Sequence, residues 1–344
     1  MRDKSEVRSQ ESDGVYKDSS TFLCGMKPAL ILLVALLFGI TMLATLKGAV
    51  SINLLHMTDT ERDILFFVRL PRVLLSGLVG SALALSGLLF QYVMKNPLAD
   101  SFTTGVSASS AMGAVVAIML GLGVLIPVFA LAGGITGLVI VYRISSVKGR
   151  VQPITMLLAG IVLSTFSSAT ISFMKFLSDD AVSSIIFWLM GGFQDASLRK
   201  VAALFLVVTG SFIAVRRHYL GLDILSFDDT TALSSGLRVD RLRKEAFFLA
   251  ALLTAFSVGY AGIIGFVGLI VPHVIRLMKF VKASELVPLS VLAGAVFMIF
   301  NDLISRTLLS EGQELPVGII TSSLGGLFFL YLLIKRKREL YYFD

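Results

Sequence analysis

Apolar stretches of about 20 residues recur almost end to end, and that repetition constrains the fold more than any other feature of this chain. A bilayer core about 30 Å thick takes about 20 helical residues to cross. With 344 residues, 56% apolar, 15% charged and a mean hydropathy of +0.86, the chain is too apolar for a soluble domain and too long for one anchor. The expected fold is all-α and polytopic. Spans are expected near residues 28–46, 70–93, 103–120, 124–142, 154–174, 201–215, 246–263, 264–279, 286–305 and 315–334, ten in all, the eighth with the weakest signal.

Residues 1–27 mix basic and acidic side chains with almost no apolar periodicity, so they read as a solvated tail ahead of a single membrane domain, 28–344. Placing the N-terminus in the cytoplasm puts 22 of the 30 basic residues inside and 8 outside, which favours both termini inside. The net charge of +7 is thereby explained by topology and needs no nucleic acid. Cys24, the single cysteine, allows neither an internal disulfide nor a multi-cysteine metal site.

Local signals divide the membrane domain further. Pro97 biases Asn96 toward extended backbone and lacks an amide proton, so a helix stops at Lys95, and Asp100 or Ser101 is expected to cap the next. Ser76, Gly80, Ala84 and Gly87 lie at helical spacing and suit close helix contact. Gly259, Gly262, Gly265 and Gly268, followed by Pro272, read as a broken or bent helix pair.

The stretch from Tyr219 to Lys244 is the longest inside loop, with Ser226 as a cap for a short helix, Asp229 at its third position and Gly236 at its end. A structured knob there suits docking of a soluble partner. Outside, Arg69, Arg72 and Arg306 oppose the usual charge bias. An acidic partner and local pairing account for them equally well, since Asp302 lies four residues before Arg306.

Several functions are disfavoured. Apart from Asp302, carboxylates and histidines deep in the spans do not offer an ion relay. No G-x-x-x-x-G-K-[ST] motif occurs, so ATP binding through a P-loop falls to a separate chain. His56, His218 and His273 are scattered, and neither a metal site nor a catalytic set can be assembled from them. The expectation is a transport subunit, with no enzyme activity, cofactor or metal of its own.

Seven motifs in order sharpen this reading: RLPR at Arg69–Arg72, NPLAD at Asn96–Asp100, GVSASSAMGA at Gly105–Ala114, LLAGIVLS at Leu157–Ser164, FWLMGGF at Phe187–Phe193, GFVGLIVPHVIRLM at Gly265–Met278 and ELPVGIITSSLGG at Glu314–Gly326. Together they resemble the FecCD-type permeases of importers for iron-siderophores, haem and cobalamin. The resemblance covers nearly everything after residue 60 and implies a type II ABC importer permease with ten helices per subunit. It implies a homodimer, a pair of ABC ATPase subunits beneath and a periplasmic or lipid-anchored substrate-binding protein above, in the cytoplasmic (inner) membrane. By resemblance, Arg69, Arg72 and Arg306 meet carboxylates of the binding protein, and Asn96 and Leu98 belong to a cytoplasmic gate. The segment Leu222 to Arg243, with Ser226, Asp228, Asp229, Gly236, Arg238 and Arg241, sits against the ATPase. Alternating access of a metal chelate, a ferric siderophore above all, is the function this implies; cobalamin, haem and molybdate are the alternative cargoes. An ion-coupled secondary transporter is the rival class, and it lacks the buried ionisable groups it would need.

Overall fold

The structure is a computed structural model and describes residues 25–48, 58–147, 150–178, 181–226, 229–234, 236–309 and 313–340. The N-terminal tail with Cys24, His56 and Asp228 lie outside the described residues. Fourteen α-helices are described: α1 Met26–Leu46, α2 Asp59–Asp63, α3 Leu70–Met94, α4 Val106–Met119, α5 Ile126–Ser145, α6 Pro153–Leu177, α7 Val182–Leu189, α8 Leu198–Arg216, α9 Tyr219–Ser226, α10 Asp229–Ser234, α11 Val239–Ala261, α12 Val267–Leu277, α13 Ala283–Thr307 and α14 Val317–Leu340. A two-residue antiparallel pairing, Ser146–Val147 with Arg150–Val151, closes the turn between α5 and α6.

Seven of the described helical segments are long and apolar enough to cross a membrane, and three shorter apolar helices, α4, α12 and the first part of α14, fall where the remaining spans were expected. The expected ten are thus accounted for, with two shifted starts. The second helix begins at Asp59 and not at 70, because Thr58 and Glu61 form a capping box. It then passes without interruption through a π-helical segment, Ile64–Arg69, into α3. Pro71 explains the widened turn, since it cannot donate to the carbonyl four residues before it. The seventh begins at Val239 and not at 246, because Asp240, Arg241 and Glu245 continue the helix beyond the stretch that hydropathy marks.

Helix α3 is the centre of the molecule. All its residues except Leu70, Leu74 and Leu78 are buried, as befits a helix apolar on every side. Gly80 lies against Gly294 of α13, and Gly87 against Gly268 of α12; a Cβ at either site would run into the facing backbone. These close approaches seat α3 against two of its neighbours, and α11 packs on it as well, with Ser86 Oγ 2.7 Å from Thr254 Oγ1 and Phe90 edge-on to Phe247. Helix α11 ends at Gly262, and the chain turns through Phe266, a bulky residue at φ +68°, before α12 starts. The glycine spacing therefore does mark a broken pair. At 11 residues α12 is about 16 Å long, half the hydrocarbon thickness.

Candidate functional site

Two groups of polar residues lie at opposite ends of α13. The first gathers Arg69, Arg72 and Arg306, the three arginines expected outside. Arg72 Nε is 3.0 Å from Asp302 Oδ1, and its Nη1 donates to Glu314 at 2.9 Å. Arg306 Nε lies 3.0 Å from Asp302 Oδ2, one helical turn away. Asp302 is fully buried, and its two oxygens face two different arginines. Arg306 also donates to the carbonyls of Ala44 (3.0 Å) and Lys47 (3.3 Å), while Arg69 donates to those of Leu46 (2.8 Å) and Thr45 (3.4 Å). Helix α1 ends with four carbonyls lacking helical partners, and two guanidinium groups satisfy them where the helix dipole favours cations.

The structure therefore brings Arg69, Arg72 and Arg306 together but turns them inward: they are 5%, 7% and 7% exposed. Local pairing, the simpler of the two accounts of these cations, describes this conformation. Glu314, which the sequence reading left without a role, is the more accessible member, its side chain 27% exposed. The signal was present in the ELPVG motif that it opens.

The second group lies at the other end. Helices α9 and α10 form the knob between α8 and α11, with Leu222 and Leu225 fully buried beneath α9. Asp223 Oδ1 accepts the amide of Ala283 at 2.7 Å and so occupies an orphan donor in the first turn of α13. Its position between the two buried leucines was the only clue to that role. Ser226 does not cap α10 as expected; its hydroxyl donates to the Asp223 carbonyl at 2.6 Å and closes α9. Gly236, at φ +79°, does end α10, with amides 236 and 237 returning to Leu233 and Ala232. Asp229 opens α10, and Arg238 and Arg241 stand exposed at the start of α11.

The loop after α3 meets this knob. Lys95 takes the left-handed conformation at the helix end, and Asn96 Oδ1 accepts the amide of Leu98 at 2.9 Å, leaving Leu98 52% exposed. A cavity of about 290 Å³ is lined by Asn96 and Pro97 from the loop, Ser226 from the knob, and Gln91 and Arg276. Arg276 donates to Gln91 Oε1 at 2.6 Å, and Gln91 donates to the Gly268 carbonyl at 2.9 Å, fastening α12 to α3. Neither Asp100 nor Ser101 caps α4, whose N-cap is Gly105 at φ +77°. Asp100 instead accepts the amides of Phe102 and Thr103, and burial nevertheless holds its carboxyl above the ordinary carboxylate range. His273, inside α12, packs edge-on against Phe328 with Phe329 beside it, so one histidine does sit within an apolar helix pair. No group of three metal-ligating side chains is found among the described residues.

Comparison with known proteins places this geometry. The model of the FecCD transport family matches residues 28–335. The chain is 38% identical over 282 residues to the cobalamin import system permease protein BtuC of Halobacterium salinarum, covering 81% of this chain and 75% of that protein. It is 32% identical over 328 residues to the Fe(3+) dicitrate transport system permease protein FecD of Escherichia coli, covering 91% and 100%. A chain solved as an inward-facing conformation of a metal-chelate type ABC transporter superposes with a TM-score of 0.81 at 29% identity, covering 90% of this chain and 100% of that one. From its α-helical membrane fold and a family match across nearly its whole length, the chain belongs to the FecCD transport family and is a permease of an ABC importer.

Proposed function

We propose that residues 28–344 act as one permease domain that passes a metal chelate, specifically a ferric siderophore, through the cytoplasmic membrane by alternating access. Both termini lie inside, two copies form the path, a separate ATPase pair drives it, and a binding protein delivers the cargo outside. The observation that carries this reading is the placement of a polar cluster and a structured knob at the two ends of α13. Similarity to the ferric dicitrate permease and to a metal-chelate type transporter supports the cargo class. Cobalamin, itself a metal chelate, is the second reading, favoured by the 38% identity to a cobalamin permease.

Docking outside works by exchange. A carboxylate of the binding protein competes with Glu314 for Arg72, and Arg69 and Arg306 strengthen the local positive field while holding α1. Inside, α9 and α10, with Ser226, Asp228, Asp229 and Gly236, meet the ATPase, and Asn96 and Leu98 form the gate beside that contact. The test is uptake of labelled ferric siderophore, cobalamin and haem into proteoliposomes holding this permease, its ATPase and its binding protein. One cargo is expected to accumulate only with ATP, and Arg72→Glu is expected to abolish it. Accumulation driven by an ion gradient without ATP would overturn the reading.

A further inference from the structure

A cavity of about 550 Å³ opens between the end of α8 and the start of α11, its lining including Arg217, His218, Arg238, Arg241 and Glu245. Three arginines and a histidine thus face a single carboxylate. That carboxylate is occupied: Glu245 Oε1 is 2.9 Å from Arg241 Nε and Oε2 is 3.2 Å from His218 Nε2. Arg217 and Arg238 are exposed. The cavity is consequently cationic and suited to a phosphate oxygen set, which guanidinium forks bind in pairs.

The walls do not stop at the charged rim. On α8, Ile213 stands one turn before Arg217 on the same face and is 50% exposed. On α11, Phe248 follows Arg241 and Glu245 on one face and is 48% exposed. Both helices are candidate spans, so these apolar side chains lie on the membrane side of the basic cavity. An anionic head with apolar tails fits both parts, whereas a soluble partner reaches only the rim.

We infer that this cavity is a binding site for an anionic phospholipid, its phosphodiester held by Arg217, Arg238 and Arg241 and its acyl chains laid over Ile213 and Phe248. The site gives Arg238 and Arg241 a membrane role in place of the ATPase contact first expected of them. It rests on the inside placement proposed above for this end of α8, and on neither the cargo nor the transport cycle.

The experiment is native mass spectrometry of the full-length permease in mild detergent, titrated with phosphatidylglycerol or phosphatidylcholine of matched chains. Phosphatidylglycerol is expected to bind more tightly, and Arg217→Gln and Arg241→Gln each to weaken it about fivefold, the ratio equivalent to about 1 kcal/mol per basic group. Glu245→Gln, which removes the acid, is expected to tighten it, an opposite change that general misfolding would not give. Arg143→Gln, at the exposed end of α5, is expected to leave it unchanged. Equal binding of the two lipids, or displacement by inorganic phosphate as effective as by lipid, would overturn the inference. So would loss of the lipid from the assembled transporter, which would give the groove to the ATPase. Failed uptake of every cargo would count against the transport reading and leave this binding result standing.

Discussion

Asp302 is the residue on which the arginine cluster depends, because it alone among the cluster's members touches two arginines and is fully buried. Removing one partner of a buried pair leaves an uncompensated charge and costs about 3–5 kcal/mol. Asp302→Ala is therefore expected to lower the thermal midpoint in detergent sharply, while Glu314→Gln, at a side chain 27% exposed, costs much less. The same Glu314→Gln frees one face of Arg72 and is expected to tighten binding-protein docking severalfold, measured by surface plasmon resonance on nanodisc-held transporter. Weaker docking by this variant would sink the exchange mechanism. The Asp302–Arg306 pair was legible as a four-residue helical spacing. The pairing of Arg72 with Asp302 spans 230 residues of sequence, and no local pattern signals it.

Among elements, α3 shows what hydropathy and glycine spacing can and cannot reveal. Its apolar length and its small-residue face were readable, and they place it in a tight helix contact. Which helices meet it was not readable, since Gly80 faces Gly294 and Gly87 faces Gly268 across long stretches of chain. Gly87→Leu pushes a side chain into the Gly268 backbone, so overpacking by about 1–3 kcal/mol or more is expected, read as lost monodisperse yield and a lower thermal midpoint. Gly210→Leu on α8, where a Cβ meets open space, is the matched control and is expected to fold normally. If both variants behave alike, backbone approach does not set the α3–α12 contact. The two shifted helix starts have different causes: a charged first turn extends α11 ahead of its apolar stretch, whereas the helix before α3 starts at a capping box and runs through the apolar π-helical segment Ile64–Arg69.

At the scale of the molecule, α13 is a rod of 25 residues, about 37 Å, with an internal fastening at each end. Asp223 ties its first turn to the knob, and Arg72 and Arg306 hold its last turns against α3 and the end of α1. A push on α9 thus has a stiff route to the arginine cluster, and the cavity lined by both sets α9 beside Asn96 in the loop after α3. The cap itself contributes only about 1 kcal/mol, so Asp223→Ala should leave folding nearly intact. Its predicted effect lies in coupling: ATP hydrolysis by the reconstituted transporter continues near the wild-type rate while cargo uptake per ATP falls about tenfold. Asp223→Asn keeps an oxygen for the Ala283 amide and should restore most of the uptake. Measuring hydrolysis and uptake in the same proteoliposomes separates the possibilities. A parallel fall in both rates would mean that Asp223 only supports the fold of the knob, and unchanged uptake would mean that α13 does not carry the motion.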